Sequence, residues 1–341
     1  MHRILLSPTA QPITYHNVQE VTADRHGLTF YRVPKAWLPR FPEKTAARAV
    51  QAAGVELRFC AATRHISLDV HTENNIGYSA AFALYHGYRN VGLATVPVPR
   101  YSGRVPLMDR QEDIDGVLDE PWRIICPYGA LTAIKALYLS DGAELLPAPG
   151  RAVRWLAHGD SITQGAHALS PGMTYVNLVA DELGWDAINM GFGGSAWGDA
   201  VIAEYIASRS DWDVLSLAIG TNTYSRDCGP AADGFALIYD RFLSIIREAH
   251  PIKPILCITP IWRRQDAQQV QNRFGDTPQA YREAISRVVQ TRAEDDLNLA
   301  LLDGLHLIGS DRGLTVDLVH PDAHGMAMLA GGITDALREL V

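Results

Sequence analysis

The chain reads as an α/β protein preceded by an all-β region, on three observations. Beyond residue 150, short apolar runs of strand length alternate with longer stretches of helical periodicity. Before residue 149, strand-like alternations succeed one another with Gly, Asn and Pro between them and few helix signals. The segment Leu145-Leu146-Pro147-Ala148-Pro149-Gly150 between the two has turn chemistry and can continue neither a strand ladder nor a helix. The expected layout is a β-sandwich or jelly roll over residues 1–149, then a three-layer α/β domain with a five-stranded parallel sheet over residues 150–341.

In the first region Val55, Leu57 and Phe59 alternate with Glu56, Arg58 and Cys60. The pattern resumes after Ala62-Thr63-Arg64 at Ile66, Leu68 and Val70. Further short runs lie at Ala80 to Tyr85, Val91 to Val96 and Ala133 to Leu139. In the second region strands are expected at Val153 to Ala157, Ala187 to Met190, Val214 to Ile219, Pro254 to Thr259 and Leu299 to Leu302. A helix is expected to open at Pro171 with Ser170 as its cap, with Tyr175, Leu178, Val179 and Leu183 on one side. Others are expected at Ala200 to Arg209, Ala231 to Ala249, Pro278 to Glu294 and Asp322 to Leu340, and Gln265 to Gln271 reads as a polar surface loop.

Composition narrows the function classes. The 341 residues are 47% hydrophobic and 20% charged, ordinary for a globular protein and far from the disordered range. The formal charge of −8, from 38 acids against 30 bases with no long basic run, argues against nucleic acid or an anionic membrane as partner. Cys60, Cys126, Cys228 and Cys257 show no Cys-x-x-Cys spacing, and all but Cys228 sit in apolar strand-like contexts, so buried free thiols are expected. The apolar part of Met1 to Pro8 is too short for a secretory signal and no run reaches membrane-spanning length, so a cytoplasmic location is expected.

Four motif blocks stand at the ends of successive strands, where the ligand crevice of an open α/β sheet lies. The first is Gly159-Asp160-Ser161-Ile162-Thr163, which projects a serine hydroxyl where a strand should turn into a helix, with N–H groups that can receive negative charge. The second is Asn189-Met190-Gly191-Phe192-Gly193-Gly194-Ser195, a glycine cluster that exposes backbone N–H groups. The third, Gly220-Thr221-Asn222, offers a carboxamide, and the last, Asp317-Leu318-Val319-His320-Pro321, an acid three positions before a histidine.

In these four blocks, in this order, the chain from Arg151 to Val341 resembles the SGNH hydrolases, also called the GDSL esterases and lipases. The resemblance implies a flavodoxin-like three-layer fold and a serine hydrolase. It implies Ser161 as nucleophile, His320 as base and Asp317 as its orienter, with an oxyanion hole from Ser161, Gly194 and Asn222. Where the family commonly has an acid after the asparagine, this chain has Thr223. That departure bears on local hydrogen bonding or substrate choice more than on the chemistry.

Chemically, a serine hydroxyl is a weak nucleophile at neutral pH and needs a base within hydrogen-bond reach. An acid behind the histidine selects its useful tautomer. Asp160 reads as a turn-fixing carboxylate rather than a reacting group. Trp197 and Tyr224, just after the glycine and asparagine blocks, are the substrate-binding candidates. Asp317, His320 and His324 have a spacing that could supply metal ligands, but no further coherent donor set accompanies them, so neither a metal nor a cofactor is expected.

An all-β region ahead of such a domain is similar to carbohydrate esterases that remove acetyl groups from sugars, and to bacterial acyltransferases acting on natural products. The expected function is removal of a small acyl group, acetyl first, from a carbohydrate or other polyhydroxylated small molecule. Acyl transfer to another alcohol and non-catalytic sugar binding are the alternatives. Tyr78, Tyr85, Tyr88 and Tyr101 could offer a sugar-stacking surface, although aromatics at strand spacing are more often core.

Overall fold

In a computed structural model of the chain, the described residues are 1–8, 12–74, 80–110, 120–225 and 229–341. Tyr78 and Cys228 lie outside them. Two compact units emerge: residues 1–38, 46–152 and 170–172 form one, and residues 39–45, 153–169 and 173–341 the other. The main break falls between Ala152 and Val153, and two short segments, Pro39–Thr45 and Ser170–Gly172, are exchanged between the units. No single cut at residue 149 reproduces this division.

The first unit is built from β1 (His2–Leu5), β2 (Thr14–His16), β3 (Glu20–Asp24) and β4 (Gly27–Tyr31), then, beyond a short helix α1 (Glu43–Ala49), β5 (Glu56–Phe59) and β6 (His65–Asn74). It continues with β7 (Ala80–His86), β8 (Arg89–Val96), β9 (Arg100–Asp109), β10 (Trp122–Ile125) and β11 (Ala130–Leu139). One antiparallel sheet runs β3-β4-β11-β6-β9, with β1 pairing the second half of β11, and the other runs β2-β5-β10-β7-β8. Leu57, Phe59, Phe82, Leu84, Trp122 and Ile124 of the second sheet form one apolar cluster with Phe30, Leu68, Val70, Val105, Ile134 and Leu137 of the first. That is the expected sandwich. Among the described residues Cys60, Cys126 and Cys257 are buried thiols not joined in a disulfide.

Strands β5, β7 and β10 are buried at every position. Arg58 and Arg123 are tolerated there because both reach the Glu56 carboxylate, whose pKa the two guanidiniums hold low against the opposing effect of its burial.

The second unit has β12 (Arg154–Gly159), α2 (Ser161–Gln164), α3 (Tyr175–Leu183), β13 (Asp186–Gly191), α4 (Ala200–Ala207), β14 (Val214–Ala218) and α5 (Thr221–Tyr224). It is completed by α6 (Ala232–Ala249), β15 (Ile255–Ile258), α7 (Arg264–Ala267), α8 (Pro278–Ala293), β16 (Leu299–Leu302), α9 (Gly304–Leu307) and α10 (Ala323–Leu340). Its five parallel strands are ordered β13-β12-β14-β15-β16, the flavodoxin-like order. Every described strand of this sheet lies within two residues of its expected span.

The helices form two packed groups, α3 with α10 and α4 with α6 and α8. On α6, Phe235, Tyr239, Phe242, Leu243 and Ile246 recur at helical spacing and are buried. Two local expectations need correction. Pro171–Met173 is a 3₁₀ turn, and the helix proper is capped by Thr174, whose hydroxyl accepts the Asn177 N–H, rather than by Ser170. Residues 264–267 form a short helix, because the Asp266 carboxylate returns to the Arg263 N–H. Among the described residues, no helix is long and apolar enough to cross a membrane.

Candidate active site

Strand order reverses between β12 and its two neighbours, β13 and β14, and Ser161 stands just past the end of β12. The turn that presents it is tightly specified. Asp160 caps α2 by accepting the Ile162 N–H at 2.8 Å, and Gly165, left-handed at φ 110°, closes the helix after one turn. Gly159 is needed for close approach rather than for a left-handed backbone: a Cβ there would meet Thr163 Oγ1 at 2.1 Å. Burial pushes the Asp160 carboxyl up, opposed by the Ile162 N–H it accepts. Its role is to fix the loop.

The acid and histidine sit in a turn ahead of α10. The Thr315 N–H donates to His320 O at 2.8 Å and the Leu318 N–H to Thr315 O at 2.9 Å, with Leu318 itself left-handed at φ 55°. Asp317 Oδ1 accepts from the Thr315 hydroxyl, the Val319 N–H and the His320 N–H at 2.8–2.9 Å. Its Oδ2 is 2.6 Å from His320 Nδ1, and His320 Nε2 is 2.8 Å from Ser161 Oγ. Partial burial alone would raise the Asp317 carboxyl. The hydrogen bonds from His320, Val319 and Thr315 outweigh it and hold that carboxyl well below the usual range. The ring therefore donates Nδ1–H to an ionised acid and turns its Nε2 lone pair to the serine.

The glycine loop after β13 lies against the serine. A Cβ on Gly193 would be 3.4 Å from Ser161 Cβ, and the Gly193 N–H is taken by Gln164 Oε1 at 2.7 Å. Gly194 follows at φ 69°, a conformation that favours glycine. Asn222, in α5 after β14, accepts the Ala196 N–H on Oδ1 at 3.1 Å, so its NH₂ faces the other way. Among the described residues the N–H groups of Ser161 and Gly194 and the Asn222 NH₂ have no acceptor. These are the donors a tetrahedral oxyanion requires.

The family model of GDSL-like lipases and acylhydrolases matches residues 157–328. The chain belongs to that family. It is accordingly a serine hydrolase of the SGNH type. No curated protein matches the chain. Among solved structures it is similar to the salicylyl-acyltransferase SsfX3 from a tetracycline biosynthetic pathway (22% identity, TM-score 0.86, 99% of this chain and 97% of that one). It is also similar to a family two carbohydrate esterase from Cellvibrio japonicus (19%, 0.68, 99% and 97%). A third is the acetyl xylan esterase Est2A from Butyrivibrio proteoclasticus (14%, 0.62, 99% and 98%). At these identities the likeness is one of fold.

The two aromatic candidates have different settings. Tyr224 is buried, with its hydroxyl on Val270 O at 2.9 Å, its ring edge-on to Tyr281 and the Arg263 guanidinium 4.9 Å from its ring centre. Those contacts pack the Tyr224 ring at the end of α5. Trp197 is half-buried and lines a cleft of about 220 Å³ with Asp199, Ile238, Arg241 and Phe242; Ser161 and His320 are not in that lining.

Several residues at the site carried no short-range signal. Gln164 holds the glycine loop, and Asn189 ties Gly191 N–H to Thr163 O across the same turn. Arg263 reaches Thr221 O and Ser225 Oγ and so braces the Asn222 helix. From the exchanged segment, Lys44 comes so near Gly194 that a Cβ there would lie 2.8 Å from its ammonium, and the Thr45 hydroxyl donates to Ser195 O. His167, at φ 65°, stands 3.9 Å from Asp317 Oδ2 with its ring 4.8 Å from that of His320. Burial and His320 lower its pKa, and Asp317 opposes them. Among the described residues the cluster able to ligate a metal is His167, Asp317 and His320; the expected spacing partner His324 is not in it.

Proposed function

We propose that the chain is an esterase that removes a small acyl group, acetyl first, from a carbohydrate or other polyhydroxylated small molecule, with Ser161, His320 and Asp317 as its catalytic residues. The observation that carries this reading is the continuous hydrogen-bonded line from Ser161 Oγ through the His320 ring to Asp317. As Ser161 Oγ bonds to the ester carbon, its proton passes to His320 Nε2, and Asp317 stabilises the imidazolium. The carbonyl oxygen becomes an oxyanion held by the Ser161 and Gly194 N–H groups and the Asn222 NH₂. Collapse breaks the bond to the alcohol, which leaves with the proton from His320. Water then enters, gives its proton to His320 and attacks the acyl carbon; the bond to Ser161 Oγ breaks, that oxygen takes the proton back from His320, and the acid leaves.

The carbohydrate esterase titles of two of the similar structures support the sugar ester, and the full-length likeness to SsfX3 supports a second reading in which another alcohol replaces water. The buried free thiols support a reducing, cytoplasmic location. The test is a panel of acetylated sugars and aryl esters of increasing chain length, with and without a competing alcohol, on wild type and Ser161→Ala. Release of acetate from sugars that is lost in Ser161→Ala supports the esterase. A predominance of acylated alcohol supports the transferase. No turnover and no serine-directed organophosphorus adduct at Ser161 would leave sugar binding as the reading.

A further inference from the structure

His167 takes no part in the steps above, yet its position is strictly held. It follows Gly165 in a loop whose Ala166 N–H is bonded to Ser161 O at 2.8 Å and whose Ala168 N–H is bonded to Gly165 O at 3.1 Å. Its own φ of 65° is a conformation that a side chain-bearing residue adopts at a cost and that clusters at functional positions. The result is an imidazole aimed at the acid–histidine pair, with Nε2 3.9 Å from Asp317 Oδ2.

One ligand atom from each of His167, Asp317 and His320 can be chosen so that all lie within 4.8 Å of one another. Tetrahedral zinc with donors at about 2.0–2.1 Å asks for separations of about 3.3 Å, so the widest pair, at up to 4.8 Å, has to close by up to about 1.5 Å, within reach of side-chain rotation. Two imidazoles and a carboxylate form a donor set that zinc favours, with the fourth position left to solvent. The side chains of His167 and Asp317 are 44% and 38% exposed, so an ion can enter.

We infer that His167, Asp317 and His320 form an inhibitory site for a borderline divalent cation, Zn²⁺ in the first instance, which switches the hydrolase off by taking its base. Ligation through Nε2 consumes the lone pair that faces Ser161. Ligation through Nδ1 displaces the proton shared with Asp317 to solvent and breaks the bond that orients the ring. In either geometry His320 cannot accept the serine proton, and a chelator restores it. This inference uses the catalytic roles proposed above for His320 and Asp317, and adds His167 as a residue that acts only through the metal.

The experiment has two independent readouts on the full chain. Zn²⁺ is titrated calorimetrically, and hydrolysis of an aryl acetate is followed across the same zinc range, with reversal by EDTA. Wild type is expected to bind one ion in this site and to lose activity in parallel. His167→Asn, which tolerates the left-handed backbone, should keep its activity without zinc and weaken both binding and inhibition at least about 10- to 100-fold, the loss typical even for an outer partner of a metal ligand. His324→Asn should behave as wild type. Inhibition or binding unchanged in His167→Asn, or relieved in His324→Asn, overturns the inference. An active wild type that zinc neither binds nor inhibits overturns it too and leaves the esterase reading standing. An enzyme without aryl-acetate turnover speaks against that reading, and the calorimetric comparison still decides the site.

Discussion

Asn222 gives the sharpest test of the oxyanion arrangement, because its two amide ends do separate jobs. Oδ1 accepts the Ala196 N–H at 3.1 Å, a neutral hydrogen bond worth about 1 kcal/mol to the fold, while the NH₂ is free for the transition state. Asn222→Ala removes both. Asn222→Asp keeps an acceptor for Ala196 but replaces the donor with a carboxylate oxygen that repels the oxyanion. Loss of one such donor costs about 100- to 1,000-fold in kcat, or about 2.7–4 kcal/mol, with little change in KM because the interaction is made in the transition state. Asn222→Asp is therefore expected to retain wild-type thermal stability and fall at least as far in kcat as Asn222→Ala. Steady-state kinetics on an aryl acetate, paired with thermal melts, measure both. An Asn222→Asp variant retaining more than about a tenth of wild-type kcat would refute the assigned donor.

Asp317→Asn should keep the turn but present an amide to Nδ1, favour the wrong tautomer and lower kcat on the order of 10⁴-fold near neutral pH, measured on the same substrate. Gly159→Ala drives a Cβ to 2.1 Å from Thr163 Oγ1, which is pinned on the Tyr175 hydroxyl, and should cost about 1–3 kcal/mol with a matching fall in Tm. His158 is buried against Phe242 with its ring on Met190 O, and burial brings its pKa down to about 4 from 6.5. It stays neutral in the folded chain, so stability is full above pH 6.5 and falls by about 3 kcal/mol as the pH drops to 4. His158→Asn should flatten that slope in denaturant titrations.

The parallel sheet was legible because its strands are short apolar runs set between amphipathic helices, as Trp155 to His158 and Val214 to Leu217 show, and because Asp322 and Pro278 mark helix starts. The sandwich was legible only in part. Strands β9 and β10 escape pattern reading, the first because Gly103 and Pro106 interrupt it. In the second Arg123 occupies a core position that only the distant Glu56 makes tolerable. The site divides in the same way. Ser161, Asp317 and His320 stand out in the sequence through the order of four motif blocks and their resemblance to the SGNH family, since each block alone is ordinary turn chemistry. Gln164, Arg263, Lys44 and His167 gain their places from tertiary contacts, some between segments 150 or more residues apart, such as Thr45 and Ser195, which no local window contains.

The exchanged strip Pro39–Thr45 limits how this protein can be taken apart. Phe41 is buried against Phe192 and Tyr205, a contribution of about 1.5–3 kcal/mol, and Arg40 pairs with Glu204. A fragment begun at residue 150 would expose a raw apolar patch beside its own glycine loop and lack the lysine that stands over it. Any chimera grafting a different leading half onto this hydrolase must therefore bring along an equivalent of those seven residues.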